Sequence, residues 1–253
     1  MKFLRWMVPL ATAATIAVGA LANTTFINGI NTGDLSNLYD TPFTPSGYVF
    51  AIWGPLYIGF IAFSLWQGVG RGARSDRAAV VRGPYMVAAL ANISWLFTWH
   101  HFQFAVSLAV MLVLLGSVVL INHELRRGPS QAGAGFWCCD FVFRAYLGWV
   151  TVATLANTAQ VLVHVAGADP VVTAYAGLAV ALAIAALIAW RWRDPVILAV
   201  FLWAAVGIAR KPAQVEDIAL AAWLVAAVVA GSIVLSLLRP ARASRQDFQR
   251  WPR

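Results

Sequence analysis

Aromatic and amide side chains recur at helical spacing in three apolar segments of this chain, and they are the candidates for binding chemistry. In the first segment Phe50, Trp53 and Tyr57 stand at i, i+3 and i+7, so they project from one side of a helix. In the second segment Asn92 and Trp95 stand at i and i+3. Aromatic stripes also occur where a helix packs against a neighbour and in the belt at a membrane interface. Residues elsewhere in the chain must therefore distinguish these roles from ligand binding.

The third segment carries Trp149, Ala153 and Asn157 at i, i+4 and i+8, near one side of a helix. An unpaired amide in hydrocarbon is costly, so we expect Asn92 and Asn157 to face the protein interior. There they would either anchor a ligand or join helices by hydrogen bonds. A rise of 1.5 Å per residue puts the three stripes roughly 6 to 12 Å from the outer helix ends. The sequence therefore predicts an apolar pocket with few polar anchors in the outer half of a membrane.

The composition identifies the environment of these segments. The 253 residues are 61% hydrophobic and 11% charged, whereas globular proteins average about 25% charged residues. Several runs approach the roughly 20 apolar residues that span a bilayer, and they are apolar on all sides, unlike the strands of a barrel. We predict an all-α polytopic membrane bundle of about eight transmembrane helices.

The predicted helices are separated by polar, basic or Pro-containing turns. They cover about 1–22, 46–67, 84–101, 104–122, 145–165, 171–190, 195–209 and 217–238. The first also imitates a signal peptide, with Lys2 and Arg5 before an apolar stretch, so cleavage is an alternative. The seventh, of about 15 residues, is short for a complete crossing.

The distribution of basic residues predicts the orientation. With the N-terminus inside, the inner segments hold 16 of the 18 Lys and Arg residues, and only Arg210 and Lys211 lie outside. Eight helices with both termini in the cytoplasm of a bacterial inner membrane satisfy this rule. The net charge of +8 is thereby explained by the membrane, and no nucleic-acid partner is predicted.

Other reactive residues form no recognisable site. His100 and His101 have no third ligand at useful spacing, so we predict no metal site. Cys138 and Cys139 are adjacent and therefore unsuited to pairing with each other. The common hydrolase, phosphate-loop and metalloprotease motifs are absent from the sequence, and no catalytic residue is predicted.

The segments that carry the three stripes resemble the tryptophan-rich sensory proteins (TspO/MBR), which are relatives of the mitochondrial translocator protein. YLGWVTVATLANTA resembles the fifth helix of that family, in which a Trp is followed by Ala at +4 and Asn at +8. Asn92 and Trp95 match its Asn-x-x-Trp step, and Trp53 and Tyr57 match its Trp-x-x-Leu-Tyr. The stretch 28–57 is similar to the long bacterial form, which favours an uncleaved first helix. This resemblance covers about residues 5–165.

The resemblance implies a domain division and a function. It predicts a five-helix core over 1–165, three additional helices over 166–238 and a basic cytoplasmic tail over 239–253. Because short members are associated with porphyrin binding, it implies a receptor-like protein that binds a tetrapyrrole or a similar flat apolar ligand. A small-solute transporter and a porphyrin-degrading enzyme are the alternatives. TAQVLVHV lacks the Tyr and the basic residue of the family's cholesterol pattern. The bilayer, a small apolar ligand and a second copy of the chain are the predicted partners.

The set of predicted ligand-binding residues is drawn from all three stripes. It comprises Phe50, Trp53, Tyr57, Asn92, Trp95, Trp149, Ala153 and Asn157.

Overall fold

The computed structural model describes residues 2–24, 27–128, 132–211 and 214–238. These residues form helices and turns and contain no strand. The predicted tail 239–253 lies outside the described residues. The helices are α1 (Lys2–Thr24), α2 (Thr32–Leu38), α3 (Trp53–Gly68), α4 (Gly70–Ala73), α5 (Asp76–His100), α6 (Phe104–Arg127), α7 (Val142–His164), α8 (Pro170–Arg191), α9 (Pro195–Ala209) and α10 (Glu216–Leu238). Two 3₁₀ helices (Ile27–Gly29, Gly47–Ile52) and a π-helix (Phe136–Phe141) adjoin them.

The predicted all-α polytopic bundle is confirmed. Seven helical segments within the described ranges are long and apolar enough to cross a bilayer, and α9 is a shorter apolar helix of 15 residues. At 1.5 Å per residue α9 is about 22 Å long. Asp194, which precedes it, pairs with Arg126 at the end of α6, whereas Gly207 near its other end accepts a hydrogen bond from Ser46, which precedes α3. The two ends of α9 therefore lie at opposite ends of the bundle.

Two helices begin where Asp-Pro pairs predict a start. Asp169 accepts hydrogen bonds from the amides of Val171 and Val172, which caps α8. Asp194 caps α9 in the same way through the two amides after Pro195. A carboxylate at the N-cap satisfies amides that have no helical acceptor, and proline at the first helical position lacks the amide that would need one.

Charged side chains join the helices at one end of the bundle, which we call the basic end. Arg77 of α5 pairs with Asp140 in the π-helix and donates to the Leu125 carbonyl of α6 at 2.9 Å. Arg126 of α6 pairs with Asp194 at 2.6 Å. Arg5, Arg82 and Gln67 tie α1, α5 and α3 together through the Gln67 side chain and the Gly68 carbonyl.

Three predicted boundaries near the basic end were wrong. α5 begins at Asp76 rather than at Pro84, so Pro84 lies inside the helix. The segment before Pro84 resembled a basic loop, but Arg77 and Arg82 are buried and have acceptors on other helices, which permits a helix. The helical run that contains α7 starts in the π-helix rather than at 145. α6 continues to Arg127 instead of ending near 122.

The opposite end, which we call the loop end, is covered by the segment 27–52. It was predicted to be an irregular loop up to Pro45, but it contains α2, which Asn31 caps through the Asp34 amide at 2.9 Å. Lys211 pairs with Asp40 and also donates to the Thr41 carbonyl at 2.7 Å. Gln160 donates to the Tyr39 carbonyl at 3.3 Å. The segment is therefore attached to α7 and to the turn that follows α9.

The three C-terminal helices pack directly on the others. Within the transmembrane region Trp203 of α9 donates to the Val49 carbonyl at 3.0 Å. Buried apolar side chains of α8, α9 and α10 belong to the same hydrophobic core as those of α5, α6 and α7. The predicted division of the chain at residue 165 remains a prediction about domains, since packing alone does not define them.

Candidate ligand-binding site

A cavity of about 260 Å³ lies between α1, α2, α3 and α5, close to the loop end. It combines aromatic rings with a few polar side chains, as small-molecule sites usually do. Its lining comprises Gly19, Asn23, Thr32, Phe50, Ala51, Trp53, Tyr57, Asn92, Trp95 and Leu96.

Five of the eight predicted site residues line this cavity. Phe50 comes from the 3₁₀ helix, and Trp53 and Tyr57 come from the first turns of α3. Asn92 and Trp95 face them from α5. The Trp53 and Tyr57 rings are 5.5 Å apart with an interplanar angle of 31°, so together they form one aromatic wall.

The three predicted residues of α7, Trp149, Ala153 and Asn157, do not line the cavity. Trp149 packs edge-on against Phe50 and Trp53, with ring centroids 5.8 Å and 6.1 Å apart. The predicted stripe does face the bundle interior. However, Phe50 and Trp53 lie between α7 and the cavity. Trp149 therefore packs against these two rings on the side that faces away from the cavity.

The polar side chains of α7 join helices instead. Asn157 exchanges hydrogen bonds with Ser107 of α6, at 3.1 Å from Asn157 Nδ2 and 3.3 Å to Oδ1. Gln160 accepts from the Trp99 indole of α5 at 3.2 Å. The sequence predicted that Asn157 anchors a ligand, with a hydrogen bond between helices as the alternative, and the observed geometry corresponds to that alternative.

Three polar groups of the lining retain free hydrogen-bonding capacity. The Asn92 amide nitrogen donates weakly to the Tyr146 hydroxyl at 3.4 Å, and that of Asn23 donates to the Gly19 carbonyl at 2.8 Å. Among the described residues, no donor contacts the side-chain oxygen of either asparagine. The Tyr57 hydroxyl likewise makes no hydrogen bond within the described ranges. A ligand could thus be offered two acceptors and one hydroxyl.

The rings of Trp95 and Trp99 are stacked, with centroids 5.5 Å apart and an interplanar angle of 18°. Trp99 donates its indole N–H to Gln160, but the buried indole N–H groups of Trp95 and Trp149 have no acceptor among the described residues. An unsatisfied buried donor costs about 1 to 3 kcal/mol. Stacking holds Trp95 against α5 even though its polar atom is unpaired.

Residues of α1 and α2 contribute lining that sequence reasoning missed, namely Gly19, Asn23 and Thr32. Gly19 and Asn23 stand at i and i+4 at the end of the first helix, and this pairing of a small residue with an amide was a usable signal. A Cβ at position 19 would overlap the Tyr57 hydroxyl. Glycine there lets the aromatic wall approach the α1 backbone closely.

The polar side chains that line the cavity are amides and hydroxyls. Its lining has no carboxylate, cysteine or histidine, and no group of three His, Cys, Asp or Glu side chains that could hold a metal occurs within the described part of the chain. Buried His100 lies nearby, where Thr32 contacts its Nε2 at 3.3 Å and the Leu96 carbonyl its Nδ1 at 2.8 Å. Both ring nitrogens therefore have protein partners.

A model of the TSPO-like protein family matches residues 5–235 of the chain. The chain belongs to this family. The match starts within α1 and ends within α10. The motifs of the sequence resemblance end near residue 165, but the matched region also contains α8, α9 and most of α10. No curated protein and no solved structure matched the chain.

Proposed function

We propose that this TSPO-like membrane protein binds a flat, mostly apolar small molecule in the cavity between α1, α2, α3 and α5. The observation that carries this proposal is the pairing of the Trp53–Tyr57 wall with Asn92 and Trp95 on the facing helix, around 260 Å³ of space. Aromatic walls favour a planar apolar ligand through stacking and edge-on contacts. A few uncommitted polar groups then fix its orientation.

The polar groups specify the ligand further. The Asn23 and Asn92 side-chain oxygens would accept hydrogen bonds from ligand N–H or O–H groups, and the Tyr57 hydroxyl would donate to a ligand oxygen or nitrogen. No charged side chain lines the cavity, so a charged substituent has no ion-pair partner there. The preferred ligand is neutral at the part that enters.

The size of the cavity bears on the tetrapyrrole that the family resemblance implies. Pockets for drug-sized ligands measure about 300 to 1,000 Å³, and this one lies slightly below that range. A whole tetrapyrrole would therefore require the cavity to widen, whereas one edge of the macrocycle needs less space. We accordingly propose a sensing or receptor role in which ligand entry displaces α1 or the segment 27–52.

The proposed location rests on the same geometry together with the charge distribution. We propose an inner-membrane protein with the basic end in the cytoplasm, because lysine and arginine are retained on that side. The cavity adjoins the loop end, so its ligand would be exchanged with the outer half of the bilayer or the space beyond it.

Two asparagines provide a matched test. Protoporphyrin and a smaller flat heteroaromatic compound are titrated into purified protein in mild detergent, and binding is followed by the shift of ligand absorption. Asn92→Leu removes an anchor of the cavity and should weaken binding by about 5- to 150-fold, the equivalent of one lost hydrogen bond in a dry site. Asn157→Leu, which removes an amide outside the cavity, should change affinity less than threefold.

The outcomes are distinct. Equal losses in both variants, or no loss in Asn92→Leu, would contradict the cavity as the binding site. If the small compound binds tightly and protoporphyrin does not bind, the cavity would be supported as the binding site and a tetrapyrrole ligand would be excluded. Bleaching of protoporphyrin by the wild type in light, reduced in Asn92→Leu, would instead favour the porphyrin-degrading enzyme.

A further inference from the structure

A second pocket lies at the basic end, away from the cavity described above. It has a volume of about 400 Å³ and is lined by Arg5 of α1, Gly70, Arg71 and Ala73 of α4, and Arg74. Three of its five lining residues are arginines, and none is acidic. The pocket is therefore a site of concentrated positive charge.

The charge of this pocket is largely uncompensated. Arg71 and Arg74 are exposed, and neither makes a salt bridge or hydrogen bond through its side chain within the described residues. Arg5 is half-buried, and its guanidinium is held in place by the Gly68 carbonyl, with Nε at 3.0 Å. Because a carbonyl group has no net charge, this hydrogen bond does not neutralise the positive charge of Arg5. Arginine guanidinium groups in this arrangement favour phosphate, whose oxygens accept several N–H groups at once.

An apolar groove of about 440 Å³ lies between α1 and α3. Its surface is formed mainly by Pro9, Ala13, Ile16, Ala17, Ile61 and Leu65. Thr12 and Ser64 also line it, but both are buried, and the Thr12 hydroxyl is bonded to the Tyr85 hydroxyl at 2.8 Å. The groove thus offers an apolar surface to the hydrocarbon of the bilayer.

The basic pocket and the groove adjoin each other. Arg5 precedes Pro9 by one turn of α1, and Leu65 precedes Gly68, the residue that holds the Arg5 side chain, by one turn of α3. From Pro9 to Ala17 the groove extends about 12 Å, which is most of the roughly 15 Å depth of one leaflet. Trp6 beside this junction is 65% exposed, as expected of a residue at the membrane interface.

We infer that the basic pocket and the groove together bind one anionic phospholipid of the leaflet at the basic end. The phosphate lies among Arg5, Arg71 and Arg74, and one acyl chain lies along α1 and α3. Charge complementarity selects an anionic headgroup over a zwitterionic one, and the length of the groove selects a lipid over a free phosphate. The site is independent of the cavity near the loop end.

The headgroup part is tested with the full-length protein in detergent by native mass spectrometry. Dioleoyl phosphatidylglycerol and dioleoyl phosphatidylcholine are compared as probes at matched concentrations. The double variant Arg71→Gln/Arg74→Gln should weaken phosphatidylglycerol binding about thirtyfold, since each basic side chain near the membrane surface contributes about a factor of five. The control Arg127→Gln/Arg191→Gln removes two exposed arginines from the same end and should weaken it less than threefold.

The groove part has an equally close control. Ala13 lines the groove and Ala14 does not, although both are exposed on the same helix. Ala13→Phe should obstruct the acyl chain and weaken phosphatidylglycerol binding at least fivefold, whereas Ala14→Phe should leave it unchanged. Soluble glycerol phosphate serves as a probe without an acyl chain and should compete poorly for the site.

Each contrary result overturns the inference in a particular way. Equal weakening by the two double arginine variants would mean diffuse surface charge. Equal affinity for phosphatidylcholine would remove the role of charge. Efficient competition by glycerol phosphate, or indifference to Ala13→Phe, would reduce the site to phosphate binding without a lipid. None of these results bears on ligand binding in the cavity, which the Asn92→Leu titration tests separately.

Discussion

Asn157 shows how one residue can fit a sequence motif and still have two physical roles. Its position after Trp149 and Ala153 predicts an inward-facing amide, and the structure confirms that it is buried. Its partner, however, is Ser107 on α6. An amide at membrane depth is satisfied equally well by a neighbouring helix or by a ligand, and only the position of α6 distinguishes the two.

We therefore expect Asn157→Leu to lower stability rather than ligand affinity. A hydrogen bond between helices in a membrane contributes about 0.6 to 2 kcal/mol, and that is the expected loss in free energy of unfolding. The measurement is thermal or denaturant unfolding in detergent. A double-mutant cycle with Ser107→Ala checks the pairing, because the second substitution should add little once the first is present. Additive losses would show that the two residues do not interact.

Gly19 is expected to control the shape of the cavity. Gly19→Ala places a methyl group where the Tyr57 hydroxyl lies, so the aromatic ring must move and the wall that it forms with Trp53 is displaced. We predict at least a tenfold loss of affinity for the flat ligand, measured by the same titration. Gly54→Ala on α3 is the control, since a methyl group there meets nothing within 4 Å and should also favour the helix slightly. Wild-type affinity in Gly19→Ala would mean that Tyr57 is not part of the site.

At the scale of secondary-structure elements, the buried ion pairs of the basic end fix the relative positions of the helices. The Arg77 and Asp140 side chains are 3% and 1% exposed, and Asp140 also lies 3.6 Å from Arg144. A buried charge without its partner retains its full desolvation cost. This pair therefore specifies how α5 sits against the π-helix, whatever its net contribution to stability.

Removing one member of this pair should accordingly be worse than removing both. Asp140→Leu alone leaves Arg77 buried without its carboxylate and should cost about 3 to 5 kcal/mol of unfolding free energy. Arg77→Leu/Asp140→Leu should recover at least half of that loss. Glu124→Gln is the comparison, because its pair with Arg127 is partly exposed, at 23% and 44% of the two side chains, and contributes about 1 kcal/mol or less. A double variant less stable than Asp140→Leu would indicate that the arginine has a separate role, such as its bond to the Leu125 carbonyl.

At the scale of the whole molecule, α1 starts at the same end of the bundle at which α10 stops. Because α9 begins at the basic end and stops at the loop end, α10 starts at the loop end and returns to the basic end. The seven longer segments together with α9 therefore make eight passes. A bundle of this kind is oriented by its basic residues, and among those that the structure describes only Arg210 and Lys211 lie at the loop end.

Reporter fusions test that orientation directly. We expect a cytoplasm-active reporter to function after Arg253 and a periplasm-active reporter to function when inserted in the segment 29–45. The opposite pattern at both places would invert the protein in the membrane. Periplasmic activity at both places would mean that α9 or another segment does not cross, in conflict with the contacts at its two ends.

Much of this architecture follows from the sequence alone. Long apolar runs can span a bilayer only as helices, because each backbone group must be satisfied within the segment, and Asp-Pro pairs mark the starts of α8 and α9. The helical spacing of Phe50, Trp53 and Tyr57, and of Asn92 and Trp95, placed each set on one face of its own helix. In the structure those five residues line one cavity, which Gly19 and Asn23 of α1 and Thr32 of α2 help to enclose, and their role in binding stays a prediction.

Only the tertiary structure decided which faces meet. Periodicity gives the angle of a side chain about its own helix axis, but not which helix stands opposite, so Trp149 and Asn157 were assigned to a pocket that the α3 aromatics separate from α7. For the same reason Arg77 and Arg82 resembled loop residues until their buried acceptors on other helices were seen. A charge or an amide in a membrane protein is positioned by its partner, and partners distant in sequence are brought together by packing.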